Sequence, residues 1–182
     1  PGAKASQPGA DVMLLDTPGH VDFSAEMERT LAVLDYAILV ISGKEGVQGH
    51  TITLWKLLEK YSVPVFVFIN KMDMEGTDRE AILEELQTHL DSGCREEGSL
   101  SRPSIAKAVK ARQVFPCSFG SALKLQGIDE FLENLSLFTI GYREGGARQG
   151  NPKKGEPDFR VFRITRDKQG ERLTHMKILS GT

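Results

Sequence analysis

The chain has few of the features that mark secreted or membrane proteins. Its 182 residues include only two cysteines, Cys94 and Cys117, too few for a disulfide framework, which favours a reducing compartment. No apolar run approaches the roughly 20 residues that a membrane-spanning helix needs, and no signal-peptide pattern opens the chain. We therefore expect a cytoplasmic protein with no membrane partner.

The net charge of the chain is also small. The formal charge of -2 argues against a surface that coats nucleic acid, and we expect no DNA partner. The charge is uneven, because eight Lys or Arg residues stand against four Asp or Glu residues between Lys153 and Lys177. This basic stretch is either a solvated ribbon edge protected by charge or a contact surface for RNA.

Apolar runs alternate with helical stripes over the first 140 residues. The runs predict strands at 12–15, 36–41, 63–69 and 114–117, and the stripes predict helices at 23–34, 50–61, 77–90 and 128–137. Thr77 and Glu80 have the spacing of a capping box at the start of the third helix. Nearly continuous apolar strands between amphipathic helices are typical of an α/β fold with a mostly parallel sheet and flanking helices.

The last 42 residues break this pattern. Residues 141–156 are rich in glycine and without periodicity, which predicts a linker. Two strand-like runs then flank the turn signal Asp167-Lys168-Gln169-Gly170 and predict a hairpin. A single hairpin is not stable alone in water. We expect three parts: a domain over 1–140, a linker over 141–156, and the beginning of a β domain over 157–182.

Two polar motifs follow predicted strands. Asp16-Thr17-Pro18-Gly19-His20 comes after the first strand, and Asn70-Lys71-Met72-Asp73 comes after the third. Ser118 follows the fourth. Ligands of open parallel sheets bind at the carboxyl ends of the strands, so we expect these three loops to converge on one crevice.

The residue types in these motifs suit a guanine nucleotide. Asp16 can hold Mg²⁺, most simply through water, and Gly19 has no Cβ, which lets its backbone N–H approach a γ-phosphate. Asp73 can accept two hydrogen bonds from the N1 and N2 positions of guanine, a donor pair that adenine lacks. Asn70 would orient the loop and reach the purine, and the stem of Lys71 would lie along the base.

Together with Gly46-Val47-Gln48, the two motifs resemble those of the translational GTPases, in particular elongation factor G and the tetracycline-resistance ribosomal protection proteins. The resemblance implies a P-loop-type GTPase domain followed by the first hairpin of a β-barrel domain. It also implies binding of GTP or GDP with Mg²⁺, hydrolysis of GTP, and a monomer that acts on the large-subunit rRNA and proteins of the ribosome.

The resemblance also implies roles for particular residues. Gly120-Ser121-Ala122 is similar to the third base-recognition loop of that family, in which backbone groups meet the guanine carbonyl oxygen, so Ser121 and Ala122 join the expected nucleotide site. His20 would orient the attacking water once the protein docks on rRNA, and this placement of water would control the rate. The segment from Val21 to Leu34 would be the switch that senses the γ-phosphate.

One family motif is absent from the sequence. No Gly-x-x-x-x-Gly-Lys-Ser/Thr phosphate loop occurs, and the nearest imitation, Gly43-Lys44, fails because Ile38 and Glu45 occupy the flanking motif positions. Two functions therefore remain open. The first is a guanine-nucleotide-binding domain that hydrolyses GTP on the ribosome. The alternative is a nucleotide-dead module that docks on ribosomal RNA or protein.

Overall fold

The computed structural model describes residues 3–7, 10–16, 25–96, 102–139 and 158–180, which belong to two compact units. The first, called the sheet unit, comprises residues 1–15 and 35–141. The second, called the hairpin unit, comprises residues 16–34 and 142–182. The elements in chain order are β1 Ala3–Gln7, β2 Ala10–Leu14, α1 Ala25–Leu31, β3 Ala37–Ser42, α2 Gly49–Lys60, β4 Val65–Asn70, α3 Arg79–His89, β5 Cys94–Glu96, α4 Arg102–Lys110, β6 Phe115–Phe119, α5 Ile128–Thr139, β7 Asp158–Arg166 and β8 Arg172–Ser180.

The centre of the sheet unit is a four-stranded parallel sheet in the order β3-β4-β6-β5. Every residue of β4 from Val65 to Ile69 is at most 4% exposed, since helices cover both faces of this strand. Phe66 and Phe68 pack on one face with apolar residues of α4 and α5. On the other face, Trp55 of α2 meets Phe115 edge to face, with ring centroids 4.7 Å apart. The predicted fold class is confirmed.

The strand before Asp16 differs from the prediction. We expected residues 12–15 to form a buried strand, but β2 pairs antiparallel with β1, and Val12, Met13 and Leu14 are exposed. The register pairs Gln7 with Ala10, so only two residues connect the strands. Such a short connection permits only a hairpin, because a parallel neighbour needs a crossover of a dozen or more residues. An apolar run does not reveal which partner a strand has.

The start of α3 also differs from the predicted capping box. Asp78, not Thr77, is the N-cap, and its carboxylate accepts hydrogen bonds from the backbone N–H groups of Glu80 and Ala81. The Thr77 hydroxyl instead donates to the backbone oxygens of Met72 and Met74, at 3.1 and 3.0 Å. Thr77 therefore closes the single loop between β4 and α3 on itself.

The hairpin unit contains α1 and the antiparallel pair β7–β8, so the predicted hairpin is present. Two of its basic side chains bind the end of α1, because Arg160 donates to the backbone oxygen of Ala32 and Lys177 to that of Val33, at 3.1 and 2.9 Å. These bonds satisfy carbonyls that the end of a helix leaves without intrahelical donors. Among the described residues, no helix is long and apolar enough to cross a membrane.

Candidate functional site

Two loops meet at the carboxyl edge of the parallel sheet. One follows β4 and begins at Asn70, and the other follows β6 and begins at Gly120. β4 and β6 are parallel neighbours, with Ile69 opposite Phe119, so their carboxyl ends lie side by side. The structure thus brings together Asn70, Lys71, Asp73, Ser121 and Ala122.

Asn70 links the two loops through its side chain. Its Oδ1 accepts hydrogen bonds from the backbone N–H groups of Lys71 and Ala122, at 2.8 and 2.9 Å. Lys71 has φ +64°, in the left-handed region that residues with a Cβ adopt at a cost of about 1–3 kcal/mol. The Asn70 amide therefore holds a strained turn in place and joins it to the Ser121–Ala122 loop.

Backbone contacts strengthen the junction. Met72 N–H donates to the Gly120 oxygen at 3.0 Å, and Gly120 N–H donates to the Ile69 oxygen at 2.9 Å. Gly120 also needs to be a glycine, because a Cβ there would lie 2.2 Å from the backbone oxygen of Gln126. The same Gln126 exchanges two backbone hydrogen bonds of 3.0 Å with Ser121, which closes the second loop.

Asp73 presents a partly covered carboxylate at this junction. Its side chain is 17% exposed, and Lys124 Nζ lies 3.2 Å from its Oδ2. The buried hydroxyl of Ser121 donates to the same carboxylate. The hydrogen bond from Ser121 makes the largest contribution to lowering the pKa of Asp73 below its ordinary value of 3.8, and Lys124 adds to it. Partial desolvation of the carboxylate opposes this shift.

The lowered pKa of Asp73 fixes the direction of its pH dependence. A carboxyl group whose pKa falls on folding stabilises the fold above its ordinary pKa, and that contribution is lost as the pH falls through the folded-state value. Asp73 is therefore ionised at neutral pH and presents only hydrogen-bond acceptors. This is the state that can accept two donors from one edge of a guanine base.

A third loop, after β3, is attached by a residue that the sequence analysis did not single out. Glu85 of α3 accepts a hydrogen bond from the Val47 N–H at 3.0 Å. The Glu85 carboxylate also lies against Gly46, which has φ +64° and where a Cβ would come within 2.3 Å of the carboxylate. The backbone N–H of Gly43 donates to the backbone oxygen of Asn70 at 2.7 Å. No local pattern reveals Glu85, because its role depends on the packing of α3.

The remaining predicted residues fall elsewhere. Asp16 is exposed and belongs to the hairpin unit, while Gly19 and His20 lie outside the described residues. Ser118, predicted to follow the fourth strand, instead lies buried within β6, which continues to Phe119. In the described part of the chain, Asp16 belongs to no group of three side chains that could hold a metal ion. It offers one carboxylate, which suits a Mg²⁺ ion held mainly by water and phosphate oxygens.

A cavity of about 450 Å³ lies beside the two loops. It shares Met72 and Gly120 with them, but Asn70 and Asp73 do not line it. The lining residues are Met72, Thr77, Arg79, Phe119, Gly120, Gln126, Gly127 and Glu130. The cavity is therefore adjacent to the polar groups of Asn70 and Asp73 and does not contain them.

A mostly parallel sheet with an Asn-Lys-x-Asp turn tied to a Ser-Ala loop at its carboxyl edge defines a nucleotide-binding α/β domain of the GTPase class. Residues 3–139 match the family model described as the elongation factor Tu GTP binding domain, which covers more than half of the chain. The chain belongs to this family, and it is therefore a GTP-binding domain of the translational GTPases. The predicted family resemblance is confirmed.

Individual relatives agree with this assignment. The chain is 31% identical to the tetracycline resistance protein TetW of Butyrivibrio fibrisolvens over an alignment of 214 positions, which covers 94% of this chain and 32% of that protein. A crystal structure of a protein from Thermus thermophilus superimposes with a TM-score of 0.81 at 20% identity, over 99% of this chain and 37% of the other. That likeness shows the fold. The chain spans about one third of the length of these relatives.

Proposed function

We propose that this chain binds and hydrolyses GTP as the G domain of a ribosome-associated translation factor. The observation that carries the proposal is the junction at the sheet edge, where Asn70 joins both loops and the Asp73 carboxylate is held by Ser121 and Lys124. A carboxylate that is already charged, partly covered and fixed in place is suited to a base edge with two neighbouring donors.

On the base side, each residue has a separate task. Asp73 accepts from the N1 and N2 positions of guanine, while with adenine the same carboxylate would be left without matching donors at a cost in affinity. The stem of Lys71, which is exposed, lies along the base. Ser121 orients Asp73, and the backbone of Ala122 stands near the guanine carbonyl oxygen, while Asn70 holds both loops.

On the phosphate side, the proposal uses the Asp16–His20 motif. Asp16 would hold Mg²⁺ through water, and the backbone N–H of Gly19 would approach the γ-phosphate. His20 orients the attacking water, so that hydrolysis depends on the surroundings that fix this side chain. When bound, Mg²⁺ neutralises charge on the phosphate oxygens.

For the domain organisation, we propose a G domain over 1–140, a linker over 141–156, and the opening strands of a β-barrel domain over 157–182. The chain would act as a monomer in the cytoplasm, with the rRNA and proteins of the large ribosomal subunit as its partners. A nucleotide-dead module that only docks on the ribosome is the alternative.

The test is GTP turnover with and without ribosomes. His20→Ala should retain guanine-nucleotide affinity and lose ribosome-stimulated hydrolysis, because only the positioning of water is removed. His89→Ala is the matched control, since His89 is exposed in the last turn of α3. Full stimulated turnover in the His20 variant would contradict its role, and a wild-type protein that binds no guanine nucleotide would favour the nucleotide-dead module.

A further inference from the structure

Lys124 contacts the residue that reads the base, although none of the family motifs assigns it a role. We propose that Lys124 is a positioning residue that fixes the Asp73 carboxylate for guanine binding. This inference rests on the proposed function, because it concerns the affinity of the same site. It assigns Lys124 an action on guanine through Asp73 and no direct contact with the base.

The geometry gives Lys124 two connections to Asp73. Its Nζ lies 3.2 Å from Asp73 Oδ2, and its backbone N–H lies 3.4 Å from Ser121 Oγ, the hydroxyl that also binds the Asp73 carboxylate. The neighbouring Leu123 and Leu125 are both exposed, and Leu125 has φ +56°. In this loop, Lys124 contacts the Asp73 carboxylate, while its two leucine neighbours face solvent and Leu125 has a left-handed backbone.

The contacts leave room for the base. An ionised carboxylate has about four acceptor sites on its two oxygens, and Ser121, Lys124 and the backbone N–H of Asp73 itself each use one. One site stays open for a guanine donor, and the second guanine donor can take the site of the Asp73 backbone N–H, so Lys124 and the base do not compete. A protonated Asp73 would present an O–H donor toward the donors of guanine, so the charge of Lys124 matters most in acid, while at neutral pH its effect is to hold the carboxylate in position.

The pH dependence follows from the same contacts. Among charged side chains in the described part of the chain, Lys124 is the one whose charge lowers the pKa of Asp73, and the Ser121 hydroxyl contributes more. Without Lys124, the pKa of Asp73 would rise toward 3.8, so guanine affinity would begin to fall at a higher pH. Loss of the Ser121 hydroxyl should raise the pKa of Asp73 further, so that GDP affinity begins to fall at a still higher pH.

The test compares Lys124→Met, Lys124→Arg and Lys110→Met with the wild type. Lys110 is exposed at the end of α4, close to the amino end of β6 and so far from the sheet edge that carries Asp73. The pKa of Asp73 is measured by carboxyl ¹³C NMR in nucleotide-free protein, and GDP affinity is measured by calorimetry between pH 4 and 8. We expect Lys124→Met to raise the pKa of Asp73 and to weaken GDP binding about twofold to fivefold at neutral pH, with a larger deficit near pH 4. Lys124→Arg should restore both values, and Lys110→Met should change neither.

The two measurements separate this inference from the proposed function. An unchanged Asp73 pKa in Lys124→Met would overturn the role of Lys124 whether or not GDP binds. An altered pKa in a protein whose wild type binds no GDP would overturn both the role in guanine binding and the function on which it rests. Equal weakening at every pH, without rescue by arginine, would indicate a loop that needs Lys124 only for packing and would also overturn the proposal.

Discussion

The parallel sheet and the β7–β8 hairpin bury their apolar residues very differently. Within β4, Val65 to Ile69 are at most 4% exposed. In the hairpin, six large apolar residues are between 39% and 65% exposed: Phe159, Val161, Ile164, Leu173, Met176 and Ile178. The sheet therefore has a core of its own, although Ile38 and Val40 of β3 are exposed. The hairpin is a two-stranded layer whose apolar side chains have little cover within the described residues.

This difference explains where a precise site can be built. Loops that recognise a base must hold polar groups within tenths of an ångström, and only elements fixed by packing provide that support. The Asn70 and Gly120 loops extend directly from β4 and β6, two of the most buried strands. The hairpin is bonded to the turn that follows α1 by the polar side chains Arg160 and Lys177, and such bonds can rearrange at lower cost.

The largest expected effect comes from removing a ring from the sheet core. Phe66→Ala should destabilise the sheet unit by about 3–5 kcal/mol, because a buried aromatic group leaves a cavity. Phe159→Ala, its counterpart in the hairpin, should cost less than about 1 kcal/mol. Urea unfolding followed by the fluorescence of Trp55, the single tryptophan and a sheet-unit residue, measures the first loss, and far-ultraviolet circular dichroism, which also records the β7–β8 strands, measures the second. Equal losses would show that the two regions do not differ as described.

A change at Asp73, the carboxylate proposed to bind the base, should alter selectivity more than stability. Asp73→Asn should lower GDP affinity about 100-fold or more, because an amide cannot accept two hydrogen bonds from guanine. The same amide can donate to the 2-oxo group of xanthine, so XDP should bind better than it does to the wild type. Calorimetry with GDP and XDP measures the change in the ratio of the two affinities. The control is Asp129→Asn, since Asp129 is exposed in the first turn of α5. Unchanged selectivity in Asp73→Asn would show that Asp73 is not at the base.

A smaller effect distinguishes two glycines. Gly120→Ala should cost about 1–3 kcal/mol and weaken GDP binding, since a Cβ 2.2 Å from the Gln126 oxygen forces the second loop to move. Gly170→Ala, in the hairpin turn at φ +87°, meets no atom within 4 Å and should cost about 1–2 kcal/mol through its backbone conformation alone. The free energy of unfolding and the GDP affinity are measured for both glycine variants. A loss of affinity in the Gly170 variant equal to that in the Gly120 variant would contradict the assignment of the site to the sheet loops.

Much of the sheet unit could be predicted from the sequence because its strands are nearly continuous apolar runs. β3, β4 and β6 each lie within about two residues of the predicted spans, and the residues Asn70 and Ser121 follow from motifs next to those strands. β5 was missed because it is only three residues long. α4 was missed because the short helix between the basic residues Arg102 and Lys110 gives a weak apolar stripe in which Ile105 and Val109 are the buried residues.

The contacts that complete the site could not be predicted in the same way. Glu85 reaches Val47 across 38 residues, and Asn70 reaches Ala122 across 52. Such pairs depend on how α3 and the sheet pack, which no local pattern records. The exposed antiparallel position of β2 was missed for a related reason, since alternative partners give a strand the same apolar run.

The most direct test of the account is a calorimetric comparison of GDP and ADP binding to the wild-type protein. The account predicts that GDP binds about 100-fold or more tightly than ADP, because only guanine supplies the two donors that the ionised Asp73 carboxylate accepts. Equal affinity for the two nucleotides, a preference for ADP, or binding of neither would contradict it.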